Sequence, residues 1–314
     1  MTKKGKETIL QGHKDWLAAG SNIITTVTYQ CHNLTKVIDE EQMKRMLQDG
    51  VRLAKCAVEE EEVPNTRPFF VVGSMGCYGG ALADGSEYTG HYPDIKSEQD
   101  LMDFHRTKTK ILLQQNPDGI ALETVPCVME CRAFVMLLKE IQQQQQSQQQ
   151  LLPACWISLA CRNDQELNDG SKIEEALAAI HHLDPEGGLL HAIGINCCDS
   201  ELVPSLVKRI AMFMAKHPLL KKGIARAIAV YPNSGEEWDA QSKTWKEGTG
   251  LRKDDLKDAF AKKLTEAVDV VETIWKELQP ISSPRPRLIL GGCCRTRPQT
   301  IAALREEVDK RRNA

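Results

Sequence analysis

Two short stretches put thiols where a metal could use them. Gly194-Ile195-Asn196-Cys197-Cys198 and Gly291-Gly292-Cys293-Cys294-Arg295 each follow an apolar run that reads as a buried strand. Three or four thiolates gathered at one mouth of an α/β fold would make a sulfur-rich zinc site. A catalytic zinc keeps one position open, so three protein thiolates plus one exchangeable ligand would meet that rule. Zinc bound by three thiolates carries net negative charge and activates water poorly. It is well suited to keeping a substrate thiol deprotonated near neutral pH. Neither pair has the Cys-x-x-Cys form of a zinc ribbon, so spacing alone leaves the four thiols equivalent, with small buried core residues as the plain alternative. Cys31, Cys56, Cys77, Cys127, Cys131, Cys155 and Cys161 are expected to be such core residues.

Glu123 closes the apolar run Ala121-Leu122-Glu123-Thr124-Val125-Pro126. A carboxylate there is costly to bury unless it meets a cation or several donors. It would either bind the ammonium of an amino-acid substrate or serve as a helix N-terminal acid before Pro126. Gly73-Ser74-Met75-Gly76-Cys77-Tyr78-Gly79-Gly80 reads as a glycine-rich loop that could close over a substrate. It lacks the Lys-Ser/Thr ending of a phosphate loop. Tyr231-Pro232-Asn233-Ser234-Gly235 is a further strand-end turn.

The elements that must position these residues alternate. Strands are expected near Asn22–Thr28, Phe69–Gly73, Gly119–Glu123, Ala154–Ala160, Leu189–Asn196, Ala227–Tyr231 and Leu288–Gly291. They are rich in Ile, Val and Leu with little polar alternation, the pattern of parallel strands buried on both faces. Between them, Leu256, Phe260, Leu264, Val268, Val271, Trp275 and Leu278 recur at helical spacing, as do Val128, Cys131, Val135, Leu138 and Ile141. After the last strand, Thr296 is the expected N-cap, Pro298 suits the first turn, and Ile301, Leu304 and Val308 face inward. The tract Gln142–Gln150 reads as a polyglutamine loop insertion within a single domain spanning 1–314. No glycine-rich dinucleotide turn follows the first strand, and chemistry-bearing residues end several different strands. Both points favour a (β/α) barrel over a doubly wound sheet.

Composition narrows the partners. The chain has 314 residues, 41% hydrophobic, with 40 basic and 43 acidic side chains and a net charge of −3. That balance gives no electrostatic case for nucleic acid or an anionic membrane. No apolar window is long enough to span a bilayer, and the basic start Met1–Lys6 leads into no apolar segment of a signal peptide. Eleven cysteines, an odd number, point to a reducing, cytoplasmic setting rather than a disulfide framework.

These blocks, with Ala19-Gly20-Ser21-Asn22-Ile23-Ile24-Thr25-Thr26, Tyr29-Gln30, Ala83-Asp84-Gly85-Ser86-Glu87-Tyr88 and Tyr231-Pro232-Asn233-Ser234-Gly235-Glu236, carry a resemblance. From about His13 to about Arg305 the chain resembles the zinc-dependent homocysteine S-methyltransferases, in the branch that uses S-methylmethionine or S-adenosylmethionine. The resemblance implies a TIM-type (β/α)8 barrel with Zn2+ held by Cys197, Cys293 and Cys294, and sets Cys198 aside. It places Glu123 at the amino-acid part of homocysteine, and Asn196 and Tyr29 at the pocket. It implies that homocysteine binds the metal as a thiolate and takes the methyl group of a sulfonium donor, giving methionine, with no catalytic residue required beyond the metal site. The Tyr-Pro-Asn-Ser-Gly-Glu block resembles the sulfonium-using branch more than the betaine-using one, and no cobalamin-binding domain is present for a corrinoid route.

One departure stands out. Family members begin with a strand carrying an Asp-Gly-Gly type motif, whereas Met1–Gln11 holds no apolar run and no such motif. The first strand–helix unit is therefore expected to be missing, with unpaired edges on the Asn22 and Leu288 strands. Lower stability and impaired activity would follow. An N-terminally truncated, inactive zinc-binding homologue is the alternative reading.

Overall fold

The computed structural model describes residues 1–33, 37–60, 67–146, 151–217, 220–221, 224–236, 238–239, 244–249, 256–278 and 284–313. The seven apolar runs form seven parallel strands: β1 (Ile23–Thr25), β2 (Phe70–Gly76), β3 (Gly119–Val125), β4 (Ala154–Leu159), β5 (Ala192–Asn196), β6 (Ala227–Tyr231) and β7 (Leu288–Leu290). They lie side by side in chain order. Helices α1 (Lys3–Ala18), α2 (Glu40–Glu59), the short α3 (Tyr78–Leu82), α4 (Glu98–Gln114), α5 (Val128–Gln146), α6 (Ile173–Leu183), α7 (Val203–Lys216), α8 (Leu256–Leu278) and α9 (Pro298–Asn313) precede, connect and follow them. Among the described residues the sheet curls into an open TIM-type barrel, one β/α unit short of the closed form. None of the described helices is long and apolar enough to cross a membrane.

The register sorts the side chains. Ala121 lies opposite Ser74 and Trp156, and Trp156 opposite Ala192. Since alternate residues of a strand share a face, Val72, Ala121, Trp156, Ala192, Ala229 and Tyr231 fill the barrel interior as one cluster. The intervening Ile120, Leu122, Ile157, Ile193, Ile228 and Val230 point outward and are covered by helix residues such as Leu47, Phe134, Leu138 and Ile210. Mostly small interior residues leave room for a site at the carboxyl ends of the strands, while the large aliphatics seal the sheet under its helices.

The curl stops short of closure. Among the described residues β1 pairs only with β2 and β7 only with β6. β3 is buried throughout, whereas Thr25 is exposed and all three residues of β7 are half-buried. Polar contacts bridge the gap between first and last elements. Arg305 of α9 donates from Nε to the Gly20 carbonyl (2.9 Å) and from a terminal nitrogen to Asn22 Oδ1 (3.1 Å). Arg67 pairs with Asp309 at 2.7 Å.

Several local expectations are corrected. Gly73–Gly76 extends β2 rather than starting a loop, because Ser74 and Met75 have strand partners in Ala121 and Leu122. The tract at Gln142 begins as helix: α5 continues to Gln146, since glutamine is a good helix former. Residues 147–150 lie outside the described set. Pro298 is the first residue of α9, but Thr296 does not cap it. Its hydroxyl donates to the Cys293 carbonyl (2.6 Å) and closes the cysteine turn. Leu278, expected on the buried face, ends α8 exposed, and Cys56 is half-buried. The start of the chain, which holds no apolar run, forms the helix α1, capped by the Thr2 hydroxyl accepting from the Gly5 N–H (3.1 Å).

Candidate metal centre

β5 delivers Asn196 and Cys197; the turn after β7 delivers Cys293 and Cys294. The Tyr231–Gly235 turn after β6 lies between them and holds both. The Cys197 N–H donates to the Tyr231 carbonyl (3.3 Å), and the Cys293 N–H donates to the Pro232 carbonyl (2.8 Å). Asn233 donates from its backbone to the Cys198 carbonyl (2.9 Å) and from Nδ2 to the Cys197 carbonyl (3.4 Å). Cys197 sits at φ +53° and Arg295 at φ +67°, a left-handed geometry unusual for residues other than glycine. Those conformations turn the thiols toward one point. The Sγ atoms of Cys197, Cys293 and Cys294 lie within 4.8 Å of one another, with Cys197 and Cys294 in contact at 3.5 Å. Cys198, next in sequence, points into the aliphatic core instead.

Three convergent sulfurs can hold a soft or borderline metal ion and leave a further position open. The cluster also shows how it carries charge. Hydrogen bonds from Cys197 and then Cys293 lower the Cys294 thiol to about 3, while sharing with Cys293 and Cys294 raises Cys197. Mutual hydrogen bonding among the three thiols thus favours sharing of negative charge within the cluster, and a bound cation would displace the remaining protons.

Asn196 is the hub beneath the cluster. Its Nδ2 donates to the Thr124 hydroxyl (2.9 Å) and faces Cys293 Sγ at 3.7 Å, and its Oδ1 accepts from the Thr124 N–H (2.7 Å). Thr124 needs that support. It is β-branched, yet lies at φ +62°, and the β3–β4 register shifts between Leu122 and Val125 around it. A bulge beside a site re-aims the neighbouring side chain. Here the neighbour is Glu123.

The Glu123 carboxylate is buried and accepts from the Ser74 hydroxyl. Burial raises its pKa, against hydrogen bonding by Ser74 and Tyr231 and the charge of Lys108. The Tyr231 hydroxyl also lies 2.5 Å from Ser158 Oγ and accepts from Trp156 Nε1 (3.1 Å). Glu123 is therefore an inward acid on the barrel wall. Tyr29, in the turn after β1, lies against α3: a Cβ on Gly80 would stand 2.7 Å from its hydroxyl. That hydroxyl lies 3.9 Å from Cys77 Sγ and hydrogen-bonds Thr124. Lys108 of α4 donates to the Thr28 (2.6 Å) and Tyr29 (2.9 Å) carbonyls and fixes this turn. Its burial lowers its pKa to about 8.

The structure thus brings Cys197, Cys293, Cys294, Asn196, Glu123 and Tyr29 to one end of the barrel. Sequence reading missed Lys108, Thr124 and the bridging role of Tyr231. Lys108 left a trace, because it falls with Leu101, His105 and Leu112 at the spacing of the buried stripe of α4. A cation on that stripe must find buried acceptors.

Comparison with known proteins agrees with this geometry. A family model described as homocysteine S-methyltransferase matches residues 2–308, starting earlier than the motifs alone indicated. The chain is 32% identical to homocysteine S-methyltransferase 1 of Arabidopsis thaliana over 98% of its own length and 85% of the relative's. It is 31% identical to homocysteine S-methyltransferase YbgG of Bacillus subtilis, covering 94% and 82%. It is also 31% identical to a selenocysteine Se-methyltransferase of Brassica oleracea, covering 96% and 79%. The crystal structure of the homocysteine methyltransferase MmuM from Escherichia coli in its metallated form superposes with a TM-score of 0.71 at 28% identity, covering 96% of this chain and 84% of that one. With the family model spanning nearly its whole length, the chain belongs to the homocysteine S-methyltransferase family.

Proposed function

We propose that this protein transfers a methyl group from a sulfonium donor, S-methylmethionine or S-adenosylmethionine, to homocysteine, and that Cys197, Cys293 and Cys294 hold a zinc ion for the purpose. The observation that carries the reading is the convergence of three sulfurs beside a buried, inward-facing carboxylate. Zinc in that sulfur set would keep the acceptor's sulfur as a thiolate near neutral pH. Glu123 binds the acceptor's ammonium, a further cation to set against the burial that raises its pKa. Asn196 orients Cys293 and locks the Thr124 bulge that aims Glu123. Tyr29 walls the pocket between Cys77 and Thr124. In the transfer itself, a lone pair of the acceptor sulfur forms the new C–S bond. The donor's methyl–sulfur bond breaks with its electron pair left on the donor sulfur, which becomes a neutral thioether. No side chain need take a proton in this step, so catalysis comes from positioning. The free state of all eleven cysteines suits a reducing cytoplasm.

A second reading is favoured by the unpaired outer edges of β1 and β7: a zinc-binding homologue without turnover. Methionine formation separates the two. It is to be measured with each donor, with and without a chelator, for the wild type and Cys294→Ser. Donor-dependent methionine that is lost on chelation and in the variant supports methyl transfer. Activity that survives both removes the zinc-thiolate mechanism, and zinc binding without any methionine leaves the second reading.

A further inference from the structure

The turn that carries Tyr29 is anchored from a helix. β1 pairs with β2 over only three residues and, among the described residues, with no strand on its other side, so the chain that follows it has support from one neighbour alone. The turn 26–31 is stitched to that neighbour. The Thr26 N–H donates to the Val72 carbonyl (2.9 Å) and the Gly76 N–H to the Tyr29 carbonyl (3.1 Å). The Ser74 N–H donates to Thr26 Oγ1 (3.0 Å), and the Thr28 hydroxyl donates to the Ser74 carbonyl (2.7 Å). Lys108 adds a hold from α4, where its ammonium donates to the Thr28 (2.6 Å) and Tyr29 (2.9 Å) carbonyls.

A lysine is a costly anchor at this place. Lys108 is 2% exposed, and among the described residues its ammonium meets two neutral carbonyls rather than a carboxylate. What it offers in return is reach and paired donation: a four-carbon stem spans from helix to turn, and one compact head gives separate, charge-assisted bonds to two successive carbonyls. The group so held is an aromatic wall. The Tyr29 side chain is half-buried. A Cβ on Gly76 would stand 3.0 Å from its ring and one on Gly80 2.7 Å from its hydroxyl, so the ring is pressed between the end of β2 and α3. Its hydroxyl reaches Thr124, the neighbour of Glu123. With so little free space around it, the ring follows its backbone, and the backbone is fixed by Lys108.

We propose that Lys108 is a positioning residue for the acceptor: by anchoring the Thr28 and Tyr29 carbonyls it holds the Tyr29 ring where homocysteine binds, and it sets acceptor affinity without touching the acceptor. This rests on the methyl-transfer reading and on the place of Tyr29 in its pocket. The three sulfurs have a separate anchor in the Tyr231–Gly235 turn. Loss of the Lys108 contacts therefore weakens ground-state and transition-state binding alike, which raises the homocysteine KM and leaves kcat nearly unchanged.

The test uses the zinc-loaded full chain as wild type, Lys108→Met, Tyr29→Ala and the double variant. Homocysteine and S-methylmethionine are each titrated calorimetrically, and kcat and both KM values are taken with S-methylmethionine as donor. Lys108→Met keeps the apolar stem and removes the donors. Its homocysteine affinity is expected to fall about 10- to 100-fold, the scale on which a small misplacement of a pocket group is felt. Its kcat and S-methylmethionine affinity should move less than about threefold. In the Tyr29→Ala background the same substitution should weaken homocysteine less than about threefold, because the ring it positions is gone. Lys108→Gln, which keeps an uncharged donor, takes the place of a methionine variant that does not fold, with the same expectations. Equal losses of homocysteine affinity with and without the Tyr29 ring overturn the proposal. Unchanged homocysteine affinity with a lowered thermal midpoint makes Lys108 a structural brace and overturns it too, as does a lower kcat at unchanged homocysteine KM. A wild type whose homocysteine binding shows the coupling of Lys108 to Tyr29, yet which forms no methionine, leaves the positioning role standing and removes the methyl-transfer reading instead.

Discussion

Replacing Asn196 by alanine tests how the site is assembled. Asn196 is 1% exposed, and its amide makes both hydrogen bonds that hold Thr124 at φ +62°. Each bond contributes about 1 kcal/mol net, and leaving the buried Thr124 N–H unpaired costs about 1 kcal/mol or more. Asn196→Ala should therefore lose about 2–3 kcal/mol. At about 2.1 cal/mol/K per residue, a chain of this length has an unfolding entropy near 0.7 kcal/mol/K, so the thermal midpoint should fall by about 3–5 °C. The strain at Thr124, about 1–3 kcal/mol for a non-glycine residue in this region, gives a second handle. Thr124→Gly in the wild type relieves that strain but loses the Asn196–Thr124 side-chain bond, so its effect should be small. In the Asn196→Ala background that bond is already gone, and the same glycine should stabilise by about 1 kcal/mol. Calorimetric melts of the four proteins measure the coupling. Effects that add within about 0.5 kcal/mol would show that Asn196 and Thr124 do not act as a unit. A midpoint for Asn196→Ala within a degree of wild type would remove the argument altogether.

Three further outcomes are expected. The raised pKa of Glu123 means that the folded state holds its proton more tightly, so stability is present below the unfolded carboxylate pKa and is lost as pH rises through the folded one. Glu123→Gln should therefore gain more thermal stability over wild type at pH 7.5 than at pH 4.5 while losing homocysteine affinity; a pH-independent difference in melting would contradict this. His13 is lowered to about 4 by burial, and its Nε2 has no partner among the described residues. Stability worth about 2–4 kcal/mol should then vanish as pH falls from 6.5 to 4, a slope that His13→Leu should flatten in urea melts. Asp184 is buried, accepts from the Gly188, Leu189 and Leu190 N–H groups and pairs with Arg226 at 2.7 Å. Asp184→Asn strands the Arg226 charge and should cost about 3–5 kcal/mol, or about 5–8 °C, without altering the donor KM; a loss under about 1 kcal/mol would show that the pair is solvated.

The strands were legible because each is a short aliphatic run, and β2 to β6 are covered on both faces, while the edge strands β1 and β7 keep the same aliphatic character. Their order follows once every connection contains a helix. Local detail was less legible where two propensities competed. Gln142–Gln146 is polar enough for a loop, but glutamine continues a helix readily, and α5 was already formed. Gly73–Gly76 carries two glycines, yet interior space beside Ala121 and Glu123 favours small residues within a strand. Thr296 offered a suitable N-cap, but the helix starts at Pro298, one residue too late for it, and its hydroxyl instead donates to the Cys293 carbonyl (2.6 Å).

The site divides along the same line. Cysteine identity was readable because thiols at two strand ends are chemically conspicuous, but convergence was not, because it depends on a third segment without any ligand. The Tyr231–Gly235 turn receives the Cys197 and Cys293 N–H groups on its carbonyls and ties down Cys198 through Asn233. It sets the distance between two chain segments nearly a hundred residues apart in sequence. The same strand end supplies the Tyr231 hydroxyl that reaches Glu123, Ser158 and Trp156. One turn thereby couples the sulfur cluster to the inward carboxylate beside it, so a change in its backbone should displace both together. The open seam between β1 and β7 lies on the flank of this arrangement, with β6 and its turn held between β5 and β7. That placement explains how the three sulfurs can converge in a barrel whose first and last strands do not meet.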